Sequence, residues 1–207
     1  MQASSDKEET AMENPVPMVF ERGPALLEKD RCALIVVDLQ EKLLPAVFES
    51  ERVLRNTKLL IECAKILNVP ILLTQQYPRG LGETVQAIRE ALPPDLHPID
   101  KTEFGCFNNP VFRDTIKQLK PRRNTLLVAG IESHICVAQT ALGAVEEGFK
   151  VQVASDATSS RSDFNWRIGL DRMKEAGGLL SSTEMIIYEL LGRSGTPEFK
   201  AMLSYLK

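Results

Sequence analysis

Three residues able to take part in covalent chemistry follow apolar or extended runs: Asp38 after "CALIVV", Lys101 after "HPID", and Cys136 shortly beyond "TLLVAGI". A carboxylate, an ammonium and a thiol in one cleft make a nucleophilic set. The carboxylate accepts the thiol proton, the sulfur attacks an electrophilic carbon, and the ammonium holds the charge on the acid. A helix N-terminus and a nearby ammonium both favour a thiolate, so this spacing predicts that Cys136 titrates below the ordinary thiol range. The turn "GIESHIC" adds backbone N–H groups suited to a developing oxyanion. A lone cysteine in an apolar helix is most often a packed core residue. Asp38 and Lys101 at two other strand ends are what set Cys136 apart.

For the three to meet, each must stand at or past the carboxyl end of a strand in one sheet. "CALIVVDLQ" (32–40), "ILLTQQYP" (71–78) and "TLLVAGI" (125–131) have the apolar density of strands buried on both faces. An extended segment ends near Lys101, and "KVQVASDATSS" (150–160) and "GLLSS" give two more strands. Helical patterns cover 51–67, "NPVFRDTIKQLK" with Asn109 as cap and Pro110 in first position, and a stretch from about Ser133 to Glu147 stopped by Gly148. "DFNWRIGLDRMKEAG" and two closing helices follow, the latter capped by Ser182 or Thr183 and by Thr196. Alternating elements of this kind predict a three-layer α/β/α sandwich, with a mostly parallel, Rossmann-like sheet of about six strands that binds ligands beyond the strands' carboxyl ends. The domain is expected over 31–207, after a flexible N-terminal arm over 1–30 in which "VPMVF" is a docking segment.

Composition narrows the function classes. A formal charge of −3 over 207 residues gives no electrostatic reason to expect a nucleic-acid partner, and "KPRR" (120–123) reads as a solvated turn. No apolar run has the length of a membrane span, and the first 30 residues lack the pattern of a signal or transit peptide, so a cytoplasmic protein is expected. The four cysteines, 32, 63, 106 and 136, form no CxxC pair and no zinc spacing. Cys32 and Cys63 read as core, and Cys106 as a second thiol lining the cleft. The two histidines, His97 and His134, cannot build a histidine-rich metal site, and His134 stands two residues from Cys136 on a helix and so faces elsewhere. With neither GxGxxG nor a P-loop present, no metal and no cofactor are expected.

"VVDLQ", "KTEF" and "GIESHICV", in that order, resemble the motifs of the isochorismatase-like cysteine hydrolases over roughly residues 30–192. "LLTQQYPRGLGET" and "DATSSRS" are most similar to the isochorismatase domain-containing subgroup. The resemblance implies Asp38 as general base, Lys101 as its ion-pairing partner, Cys136 as nucleophile, and a cis peptide between Ile131 and Glu132. That peptide would aim the N–H of Glu132, with that of Cys136, at the substrate oxygen. The implied activity is metal-independent hydrolysis of a small amide or related acyl compound through a thioester, by an amidohydrolase acting on C–N bonds. The alternative is a catalytically silent binding or scaffold protein on the same fold; either is implied to be a homo-oligomer. Gln40, Tyr77 and Phe104 join Ile131 and Glu132 as oxyanion or substrate-binding candidates, and Phe107 joins Tyr77 and Phe104 as apolar wall. The chain departs from nicotinamidases in having no histidine after the second strand, and from vinyl-ether-cleaving isochorismatases in keeping Cys136. Gln75 stands where the subgroup commonly has glutamate.

Overall fold

A computed structural model describes residues 26–120 and 122–206; residues 1–25 of the expected arm, "VPMVF" included, lie outside them. Strand β1 (Cys32–Val37) leads into a loop and helix α1 (Ser50–Leu67), and β2 (Ile71–Gln76) into two single-turn helices, α2 (Pro78–Leu81) and α3 (Gln86–Arg89). β3 (Ile99–Lys101) precedes α4 (Pro110–Leu119), and β4 (Thr125–Ile131) runs through a π-helical turn (Ser133–Val137) into α5 (Ala138–Glu146). β5 (Lys150–Ser159), α6 (Asp163–Glu175), β6 (Leu179–Ser181), α7 (Thr183–Leu191) and α8 (Pro197–Leu206) complete the order.

The six strands pair in the order β3-β2-β1-β4-β5-β6, and every pair is parallel. Side chains alternate across the sheet. Cys32, Leu34 and Val36 join one core with residues of α1, α7 and α8, whereas Ala33, Ile35 and Val37 join another with residues of α4, α5 and α6. This explains why β1 is apolar at every position: both of its faces are covered. Cys32 and Cys63 are buried in the first core, as expected.

Helix boundaries follow local chemistry. The Asn109 side chain accepts from the Phe112 N–H at 3.1 Å ahead of Pro110, and Ser182 rather than Thr183 caps α7, accepting from the Met185 N–H at 3.2 Å. Arg123, expected in a solvated turn, instead donates to the carbonyls of Lys29 and Cys32 at 2.9 and 2.7 Å, and so ties the loop before β4 to the start of β1.

Strand order reverses direction between β1 and β4. In an open parallel sheet the loops leaving two such strands run to opposite faces and open a crevice at their carboxyl ends. Asp38 leaves β1 there, and the turn carrying Cys136 leaves β4.

Candidate active site

Lys101, at the end of β3, lies two strands away from β1, with β2 between them. Neighbouring strands are about 4.8 Å apart, so only a long side chain spans that gap. The Lys101 ammonium reaches the Asp38 carboxylate at 2.6 Å, and both side chains are fully buried. On its way it passes two residues of β2 that the sequence did not single out. Gln76, paired in register with Lys101, accepts from the ammonium at 2.6 Å through Oε1, and Thr74 donates its hydroxyl to the other Asp38 oxygen at 2.7 Å. The Phe104 carbonyl is a weaker acceptor for Lys101 at 3.4 Å. Thr74 and Gln76 alternate with Gln75, which faces away: its amide accepts from the Thr84 N–H at 2.8 Å and contacts Asp100 at 3.4 Å.

Asp38 itself has φ 52°, in the left-handed region that L residues seldom occupy. The turn it makes folds the carboxylate into the crevice instead of continuing the strand. The buried Cys136 thiol lies near enough to that carboxylate to feel its charge. The two reach one another because the π-helical turn bends the chain at once after β4, with the N–H groups of Ile135 and Val137 both donating to the Glu132 carbonyl at 3.0 and 3.1 Å. The Ile131–Glu132 peptide is cis, and among the described residues the Glu132 N–H has no backbone acceptor.

The thiol's electrostatics differ from the expectation. Burial, and then the negative charge of Asp38, push Cys136 well above the ordinary thiol range, and the opposing pull of Lys101 is smaller. Lys101 neutralises Asp38, not a thiolate. Burial is the largest single influence and works against its charge, but Asp38, by charge and hydrogen bond, together with the nearby Cys106 and Cys136 raises Lys101 above the ordinary 10.5. The resting arrangement is therefore a neutral thiol beside an ion-paired carboxylate.

The remaining candidates separate into those that are exposed and those that act on the framework. Tyr77 and Phe104, on the segments that follow β2 and β3, are 53% and 55% exposed. Phe107 is not a wall residue: it is buried, with its ring 5.2 Å from Phe112 and 5.9 Å from Phe149. Gln40, expected to touch substrate, is fully buried and its amide is occupied. It donates to the carbonyls of Gln76 and Gly82 at 2.9 and 2.6 Å and accepts from the Gln76 N–H at 2.6 Å, so it holds the loop after β2 in place. Ile131 is fully buried in the core, and the Glu132 carboxylate pairs with Arg161 at 2.9 Å. His134 faces Ser160, 2.9 Å away. Cys106, expected to line the cleft, is fully buried behind Thr74; burial and then Asp38 push it up to about 11. Among the described residues, no three His, Cys, Asp or Glu side chains form a group able to hold a metal ion, and no helix is long and apolar enough to cross a membrane.

The turn that carries Cys136 is backed by α6 at Gly169, where an added Cβ would lie 2.8 Å from the backbone of Ser133 and His134. Glycine to alanine inside a helix ordinarily stabilises by about 1 kcal/mol. Here the contact is with backbone, which cannot swing aside, and overpacking of that kind costs about 1–3 kcal/mol. Gly169→Ala is therefore expected to lower the urea midpoint and to slow Cys136 alkylation by iodoacetamide, measured by peptide mapping. An unchanged midpoint together with unchanged alkylation would show that the turn does not depend on this contact.

The isochorismatase domain family model matches residues 32–185. Isochorismatase domain-containing protein 2 of Danio rerio is 35% identical over 184 residues, spanning 89% of this chain and 91% of its own. Among solved structures, the MAR1 ribonuclease from Caenorhabditis elegans superposes with a TM-score of 0.82 at 35% identity, covering 88% of this chain and 92% of that one. The Escherichia coli YcaC gene product, described as an octameric hydrolase of unknown specificity, does so with a TM-score of 0.82 at 28% identity, covering 89% and 92%. Fold, strand-end residues and these matches agree: the chain belongs to the isochorismatase family.

Proposed function

We propose that this chain is a metal-independent cysteine hydrolase that cleaves a small amide or related acyl compound through a thioester. One observation carries the reading: the buried Cys136 thiol, in the turn that leaves β4, shares the carboxyl ends of the strands with an Asp38 carboxylate whose charge Lys101 balances at 2.6 Å. As the sulfur attacks the acyl carbon, its proton passes to Asp38. The carbonyl oxygen takes up the electron pair and is held by the N–H groups of Glu132 and Cys136. The tetrahedral adduct collapses, the C–N bond breaks, and Asp38 returns the proton to the leaving amine. Asp38 next deprotonates water, which attacks the thioester to release the carboxylic acid and restore the thiol. A raised thiol pKa fits this sequence, because the proton leaves during attack and no standing thiolate is required.

The hydrolase reading is supported by family membership and by the description of YcaC as a hydrolase. Its octameric state supports a homo-oligomer here as well, and four unpaired cysteines suit a reducing, cytoplasmic setting. The name of the Caenorhabditis elegans relative raises ribonuclease activity as a second reading.

The test is incubation with p-nitrophenyl acetate, with the adduct mapped by mass spectrometry. An acetyl group on Cys136, absent from Cys136→Ala, is the expected result, followed by an amide screen comparing the two proteins. Acylation at Cys106 alone would overturn the assignment. RNA cleavage that survives in Cys136→Ala, with no acylation of the wild type, would favour the second reading.

A further inference from the structure

We propose that Thr74 is a positioning residue for the reaction: its hydroxyl fixes the plane of the Asp38 carboxylate so that a lone pair stays turned toward the Cys136 thiol. This inference rests on the cysteine-hydrolase reading above. A carboxylate held at one oxygen rotates easily, because the last side-chain torsion of aspartate is soft. Lys101 binds only Oδ2, at 2.6 Å. Thr74 supplies the second anchor, 2.7 Å from Oδ1.

The anchor is itself rigid. Val37, directly before Asp38, is in register with Thr74, and the Asp38 N–H donates to the Thr74 carbonyl at 3.2 Å. A β-branched side chain in a strand has little χ1 freedom, and Thr74 is fully buried. Its single hydroxyl proton has one destination. The Cys106 sulfur, 3.9 Å away, donates into the Thr74 oxygen, while the ionised Asp38 carboxylate can only accept. The chain Cys106 to Thr74 to Asp38 thus runs in one direction and ends on the group that takes the proton of Cys136. It also gives Cys106 a role beside the reaction instead of in it.

The experiment measures acylation of Cys136 by p-nitrophenyl acetate in the full chain, separating the maximal rate from the half-saturating concentration. Thr74→Val keeps shape and removes the hydroxyl, Thr74→Ala removes both, and Thr74→Ser keeps the hydroxyl. A hydrogen bond to a charged group is worth enough that its loss is expected to slow maximal acylation about ten- to a hundredfold. Val and Ala should both show this with half-saturation unchanged, and Ser should stay within about threefold of wild type. The inference is overturned if Val or Ala acylates at the wild-type rate, if Ser is as slow as Val, or if the loss falls on half-saturation. A wild type whose Cys136 is never acylated overturns the parent reading as well, which separates the two failures.

Discussion

Lys101→Met is expected to lower the unfolding free energy by about 3–5 kcal/mol, because it leaves Asp38 as a buried charge without its partner. Methionine keeps most of the lysine stem, so the loss reports the charge and not a cavity. The ammonium's two close acceptors, Asp38 Oδ2 and Gln76 Oε1, each 2.6 Å from it, lose their donor together, as does the more distant Phe104 carbonyl. The check is urea unfolding at pH 7, where the midpoint should fall with little change in slope. Adding Asp38→Asn should recover much of the loss, since the second change removes the stranded charge. A surface lysine would behave otherwise, with a change near zero in both variants. The pH dependence follows from the raised pKa of Lys101. Below the ordinary lysine value of 10.5, Lys101 is protonated in folded and unfolded chains alike, and the stabilisation is fully present. Above 10.5 the unfolded chain releases its proton first, so the contribution drains away as the pH rises through the folded value. Wild type should therefore lose its margin over Lys101→Met in strongly alkaline solution. A margin that stays constant from neutral to alkaline pH would contradict the buried pair.

The parts of this site that can be read in the chain are those marked by a change of character at a strand end. Asp38 breaks, and Cys136 follows, a run whose burial is written in its apolar density, whereas Lys101 is marked only by the short extended segment that it ends. Thr74 and Gln76 carry no such mark. They lie inside β2, whose ladder partners decide which of its two faces meets the crevice, and register between strands distant in sequence is not a local property. Had the alternation of β2 been set against the parity of β1, Thr74 and Gln76 would have been separable from Gln75. Gln40 misleads for a related reason. Its position two residues after Asp38 suggests substrate contact, yet its amide is needed by the backbone of the loop that follows β2. The direction in which the thiol titrates is not legible in the chain, because helix ends and lysines are visible in a sequence whereas the depth of burial, the largest influence on Cys136, is set by the fold.

Gly130→Ala is expected to be the most damaging single methyl in the domain, costing about 4 kcal/mol or more. Gly130 has φ +116°, a conformation that side chains rarely adopt, and an added Cβ would lie 2.1 Å from the Val37 carbonyl oxygen and 2.6 Å from the Val37 nitrogen. Both obstacles are main chain. Relief would require β1 and β4 to part at the register pair Val37↔Gly130, where the β4–β5 ladder also shifts register. The damage falls on the chemistry because Val37 precedes Asp38 and Gly130 precedes the Ile131–Glu132 peptide, so parting the strands separates the base from the turn that carries the nucleophile. Gly148→Ala is the control: its φ is +80°, but nothing lies within 4 Å of the added carbon. That variant bears only the left-handed penalty, about 1–2 kcal/mol. Thermal and urea unfolding of the two variants, with Cys136 acylation measured on whatever folds, separates backbone strain from collision. Equal losses would mean that the close approach of β1 and β4 is not what glycine at 130 serves; a much larger loss at 130, with acylation abolished, is the outcome that the geometry requires.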